Sequence, residues 1–421
     1  MTSRRTRPPV QKSGANRNSR PSGRPPASQT AGRRGVAILV VVLLFLFLVA
    51  LVVLYRLPDM QQDPLHVEPG DYTGEGGFSL SLTEAERLRP FTDNLLLRVS
   101  VDKLEFLNLD GKVEGSIDVS LSQPEFVRKG DYGLVFDYEN HSYYVFRERN
   151  LQYSGRTDQV IAAASLGGNG NIALVLNEFG TRGVLRVLDA EGQLIFDWTL
   201  RDNRKSGFIL ASAFNSAGDR LFVSMYNTAN VPATPLITCL DVTRSARERI
   251  VAQYRPEPRE PYLLLYPYGE DNLVAVSPRH VCLIRNNVSY DWLESAGFDS
   301  AGINGDTFWF VARAEMNGTP SFAGIKLPET INVVPTGSTP AQQTRDLLSR
   351  GLPLGELPGQ VANGGKFVVL TQANLLRRID VSRPNVADEY NLEGEILACR
   401  VDPGGNAICV MDKAVRILVV R

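Results

Sequence analysis

Three observations predict an all-β fold, a β-propeller of eight four-stranded blades with seven as the alternative count. Short strand patterns separated by turn residues follow one another from Phe78 to the C-terminus. With the second strand of each set as a marker, the starts fall near 95, 132, 171, 220, 272, 307, 366 and 406, at separations of 37, 39, 49, 52, 35, 59 and 40 residues. Four strands per roughly 40–50 residues is the period of a propeller, whose blades bury their faces against one another. No span of 78–421 sustains a 3.6-residue period. One transmembrane helix and a disordered N-terminal tail are predicted ahead of the ring.

Residues 1–35 carry nine Lys or Arg and no acid, within a segment rich in Pro, Ser, Gly and Asn. Such a segment cannot bury enough surface to offset its chain entropy, so a disordered basic tail is expected. Residues 36–55, VAILVVVLLFLFLVALVVLY, contain no charge, and a helix of that length spans roughly 30 Å, the thickness of a bilayer core. A single-pass transmembrane helix is therefore expected, with 56–77 a polar linker and 78–421 the propeller. The basic flank places the tail in the cytoplasm and the large domain outside it, at the plasma membrane. Residues 57–421 hold 35 basic against 46 acidic residues, a net of −11, which argues against nucleic acid as a partner.

Along the ring, Asp110-Gly111 between alternating apolar runs signals a hairpin. The same pattern recurs at Val160–Ser165, Gly167–Gly170 and Ile172–Leu176, and again at Ile209–Phe214, Ala217-Gly218-Asp219 and Leu221–Met225. The last set, Glu395–Val401, Asn406–Met411 and Ala414–Val420, has three strands, and Phe78–Leu82 can supply the fourth and close the ring. Residues 328–358 interrupt the repeat. Within them Thr339-Pro340-Ala341-Gln342 reads as a helix start, with a short helix running to Arg350 and stopped by Gly351. Asp197-Trp198 and Asp291-Trp292 share an aromatic-Asp-Trp pattern on outer strands, where packing between blades is the expected role. Cys239, Cys282, Cys399 and Cys409 are expected as free thiols. A turn at Gly404-Gly405 sets Cys399 opposite Val410, one step out of register with Cys409.

No catalytic, cofactor-binding or metal-site residues emerge. His66, His141 and His280 are scattered over the linker and separate blades, and no Cys-x-x-Cys, phosphate-binding loop or nucleophile elbow occurs. Asp110, Asp189 and Asp241 end equivalent strands, where a bond from the side chain to the turn backbone accounts for them.

FSLSLTEAERLRPF, GDYGLVFDYENHSYYVFRERN, VIAAASLGGNGNIALVLNE, GVLRVLDAEGQLIFDWTL and ILASAFNSAGDRLFVSMYN together cover about 78–254. On these stretches the chain resembles a clostridial-type family of single-pass membrane proteins with an extracytoplasmic quinoprotein-like, WD40-like propeller. The resemblance implies architecture and location, since the family carries no established activity. Quinone-dependent relatives of that wider fold use adjacent cysteines, which this chain lacks, so no cofactor is expected. Other members act as scaffolds in envelope assembly. The expected function is a non-enzymatic binding module for an envelope protein, peptide or glycan, with 328–358 and the aromatics Phe308-Trp309-Phe310 as patches of interest. The alternative is an envelope hydrolase or lyase with carboxylates at the central funnel.

Overall fold

The computed structural model describes residues 72–74, 77–178, 181–200, 207–245, 248–328 and 338–420. Eight antiparallel four-stranded sheets follow one another. Blades 1 to 5 span Leu88–Asp118, Pro124–Arg156, Val160–Thr199, Phe208–Tyr254 and Leu264–Glu294, and blades 6 and 7 span Gly297–Pro353 and Gln360–Asn391. Blade 8 takes three strands from Ile396–Val420 and a fourth, Tyr72–Gly74, from the N-terminal side. The second strands begin at Leu95, Tyr132, Ile172, Arg220, Asn272, Thr307, Phe367 and Ala407, so the eightfold repeat read from the sequence is the repeat of the fold.

Burial explains why the second strands are nearly continuous apolar runs. Successive side chains on a strand face opposite ways, and each blade is covered on both faces. In blade 3, Ile172, Leu174 and Leu176 enter the cluster shared with blade 2, while Ala173 and Val175 enter the cluster shared with blade 4. Among the described residues eight such apolar clusters occur, one at each interface between neighbouring blades. The last, with Leu88 and Leu96 from blade 1 and Ile408 and Val410 from blade 8, joins the two ends of the ring. First strands lie innermost: Val160–Leu166, Phe208–Phe214, Leu264–Tyr268 and Gly297–Asn304 contact one another in sequence order.

The expectation of a transmembrane helix ahead of the ring is corrected. Among the described residues no helix is long and apolar enough to cross a membrane. Leu82–Arg87 and Pro340–Ser349 have six and ten residues, reaching about 9 and 15 Å against the roughly 30 Å a bilayer core requires. Residues 36–55, the tail and His66 lie outside the described residues.

Three local expectations also change. The strand closing blade 8 is Tyr72–Gly74, whereas Phe78–Leu82 contributes one bridge, Ser79 with Ala414, and then enters a helix. That helix is set by Ser81 and Glu84: each side chain takes the other's backbone N–H, a complete capping box. The hairpin of blade 8 turns through five residues, 402–406, so Cys399 stands directly opposite Cys409. Phe308, Trp309 and Phe310 are core: the phenylalanines face blade 5, and Trp309 faces blade 7 with its indole N–H on Asn304 Oδ1 at 2.9 Å.

The 328–358 interruption contains the expected helix, Pro340–Ser349, with Thr339 as N-cap. It stands beside the two-residue fourth strand of blade 6, Leu352–Pro353. Leu348 enters the cluster of blades 5 and 6, and the buried Thr344 hydroxyl accepts from Glu294 N at 3.1 Å. Its role is to seal an outer edge.

Candidate functional site

Antiparallel connections divide the ring into two faces. One carries the turns joining first to second and third to fourth strands; the other carries the second-to-third loops and the linkers between blades. On the second face, between blades 4 and 5, two proline-containing segments come together. The loop after Arg220–Asn227 is held by Asn227 Oδ1 accepting Ala229 N (2.9 Å) and by Asn230 Nδ2 donating to Thr234 Oγ1 (3.0 Å). It contains the cis bond Val231–Pro232, and Val231 is 99% exposed.

The linker Arg255–Leu263 crosses from the outer strand of blade 4 to the inner strand of blade 5, with Pro256, Pro258 and Pro261 limiting its freedom. Tyr262 plugs the interface between the blades and is fully buried. Ser224 Oγ donates to Tyr262 O at 2.7 Å, Tyr226 Oη donates to Arg259 O at 3.3 Å, and Leu263 N donates to Val276 O at 2.9 Å. The strap is thus tied to both blades. Together the two segments form a cleft of about 250 Å³ lined by Asn227, Asn230, Leu236, Arg255, Glu257 and Arg259, among others. That is below the roughly 300–1,000 Å³ of sites that enclose a drug-sized ligand, and fits one or two side chains of a larger partner. Leu263 and Leu264, at the blade 5 end of the strap, are 48% and 41% exposed.

Glu260 extends the anchoring. Ser277 Oγ donates to Glu260 Oε2 at 2.7 Å, and His280 lies with Nε2 3.9 Å from Glu260 Oε1 and Nδ1 3.3 Å from Asp291 Oδ1. Burial alone would lower the His280 pKa, but the Asp291 bond and charge, with Glu260 and Glu294, outweigh it, and the net shift is upward. The serine hydroxyl serves the carboxylate rather than the imidazole, so the group is a structural tie and not a nucleophile with its base.

A larger cleft, about 550 Å³, is on the opposite face between blades 1 and 2, with Asp93, Glu114, Asp131 and Glu148 on its rim. All four carboxylates are exposed. Glu114 pairs with Arg149 and Asp93 with Arg400. Among the described residues no group of three His, Cys, Asp or Glu is placed to hold a metal ion.

The remaining sequence candidates are structural. Trp198 packs on the cluster of blades 3 and 4, with Asp197 bound bidentately by Arg186; Trp292 packs 5.6 Å from Phe308 of blade 6. His141 bonds Thr157 O through Nδ1 at 2.9 Å. Asp189 and Asp241 accept the N–H groups of their own turns, but in blade 1 that role belongs to Asn108, which accepts from Asp110 and Lys112. The strapped cleft was not singled out from sequence. Its signal was there, in prolines 256, 258 and 261 between two strand patterns.

The chain belongs to a family of unknown function (DUF5711), whose model matches residues 71–299, more than half of its length. The match takes in blades 1 to 5, hence the strapped cleft. No curated protein matches the chain. Among solved structures it is similar to BamB from Moraxella catarrhalis (12% identity, 82% of this chain and 99% of that one, TM-score 0.47). It is also similar to apo AztD from Citrobacter koseri (10%, 73% and 86%, 0.46) and to a streptogramin B lyase (13%, 83% and 98%, 0.42). Likenesses this distant carry no inference about activity.

Proposed function

We propose that this chain is a non-enzymatic binding module that holds a protein or peptide partner on its loop face, at the strapped cleft between blades 4 and 5. The observation that carries the proposal is the strap itself. Ties to both blades hold the cleft open before any partner arrives, and a preformed site avoids the ordering cost of binding. Beside it stand the almost wholly exposed Val231 and the guanidinium groups of Arg255 and Arg259, an apolar anchor with polar surroundings of the kind that concentrates binding energy. Placement outside the cytoplasm belongs to the same proposal. The charge contrast between residues 1–35 and 57–421 supports it, and protease accessibility on intact cells tests it.

The hydrolase reading has one point in its favour, the acid-rimmed cleft between blades 1 and 2. Against it, those carboxylates are all exposed, whereas a catalytic acid is ordinarily tuned by burial or a close partner. Cross-linking and co-purification of the full chain from its own cells, with two double variants, separates the two readings. Val231→Asp with Arg255→Glu is expected to reduce recovery of the partner about tenfold or more, the scale of losing an interface anchor. Asp131→Asn with Glu148→Gln is expected to leave it unchanged. Equal recovery with the first variant would remove the binding site from this cleft, and loss only with the second would move attention to the acidic one.

A further inference from the structure

Cys399 and Cys409 lie on the first and second strands of blade 8 as direct cross-strand partners. Their sulfurs are 3.5 Å apart, with Cys409 fully buried and Cys399 partly exposed. The five-residue turn 402–406 creates this register: Asp402 accepts Asn406 N through Oδ1 at 2.8 Å, and Gly405 N donates to Asp402 O at 3.0 Å. The pairing runs unbroken from Val401 with Ala407 to Ala398 with Val410. Directly opposed antiparallel residues have Cα atoms about 4.5–5.5 Å apart, within the range a disulfide spans.

We infer that Cys399 and Cys409 form a thiol–disulfide exchange site for small organic disulfides, with Cys399 the attacking and Cys409 the resolving thiol. The order follows from access, because an incoming disulfide reaches the partly exposed residue and not the enclosed one. In the first step the Cys399 sulfur, its proton lost, bonds to one sulfur of R–S–S–R and releases one R–SH. In the second the Cys409 sulfur displaces the other as R–SH and joins Cys399. Two electrons and two protons pass from the cysteine pair to the small disulfide, leaving one Cys399–Cys409 bond and two small thiols. The hydrogen bond with Cys399 and burial both hold the Cys409 thiol in its protonated form, which suits a group that acts only once its neighbour carries a leaving group. Cys239 and Cys282 are enclosed in the interface of blades 4 and 5. Burial pushes each thiol up to about 12, so they serve as internal controls.

The test uses the full chain, reduced, freed of reductant and exposed to oxidised glutathione, then alkylated under denaturing conditions and mapped by mass spectrometry. The expected result is a fall from four alkylatable thiols to two, with the peptides of Cys399 and Cys409 linked and the change reversed by dithiothreitol. In Cys409→Ser, glutathione is expected to remain on Cys399 as a mixed disulfide; in Cys399→Ser, Cys409 is expected to stay unmodified. Four surviving thiols in the natural chain, or loss at Cys239 and Cys282 instead, would overturn the inference without reference to any variant. Glutathione on Cys409 in the Cys399→Ser chain would overturn the assigned order.

Discussion

On one face of the ring single side chains close the turns: Asn108, Asn215, Asp189, Asp241, Asp380 and Asp402 each accept backbone N–H groups of the turn they begin. On the other face, at blades 4 and 5, the strap is held from a distance, its backbone by Tyr226 and Ser224 and its Glu260 side chain by Ser277, all reaching from neighbouring strands and loops. The first arrangement is mainly local, with single cross-links such as Asn171 Nδ2 to Gly218 O and Asn215 Nδ2 to Glu270 O joining turns of neighbouring blades. The second is fixed at a few points and leaves the side chains of Arg255, Glu257 and Arg259 exposed at the cleft. A surface of that kind can change its exposed residues without altering its support, which suits recognition.

The comparison breaks most visibly at Tyr262. Tyr262→Ala empties a fully buried site shared by two blades and is expected to cost about 3–5 kcal/mol by chemical denaturation. A loss of only a few tenths would mean that the strap is not structurally anchored. On the turn face the corresponding test is Arg220. It meets Asp241 at 2.9 Å and Asp271 of blade 5 at 2.7 Å, and Asp241 is 2% exposed. Arg220→Met leaves that carboxylate enclosed, with Arg244 its remaining charged neighbour, for an expected loss of about 3 kcal/mol. Here the turn face depends on a neighbouring blade. A turn closed mainly by its own side chain should respond less: Asp189→Ala removes acceptors for Glu191 N and Gln193 N and is expected to cost about 1 kcal/mol, with no change in partner recovery.

The smallest effect is a pH dependence on the loop face. His280 gains affinity for its proton on folding. Its stabilising contribution is therefore complete below about pH 6.5, the unfolded value, and is lost as pH rises through the higher folded value. His280→Gln is expected to flatten that part of the stability profile while leaving the rest of the curve parallel. A slope of unchanged size would assign the titration elsewhere.

How far these regions could be read from sequence follows from the range of the interactions. The repeat was legible because burial on both faces writes itself into every second strand. The helix at Pro340 was legible because Thr339 and Pro340 act within one turn. The Leu82–Arg87 helix carried an equally local signal, Ser81 and Glu84, but its six residues are too few to show a period. Register at Cys399 was misread by one residue, since Gly404-Gly405 suggests a two-residue turn while Asp402 closes a five-residue one. The strapped cleft joins a loop to a linker through Tyr226 and Ser224, some thirty residues away in sequence: the prolines mark the linker, but no local pattern records its meeting with the loop.

The most direct measurement places a photo-crosslinking side chain at position 231 on the loop face, or at position 191 on the turn face, in the full chain within its own cells. Both positions are exposed. Irradiation is expected to give a discrete, reproducible adduct from position 231 and none from 191. Adducts from 191 alone would contradict the assignment of the binding face.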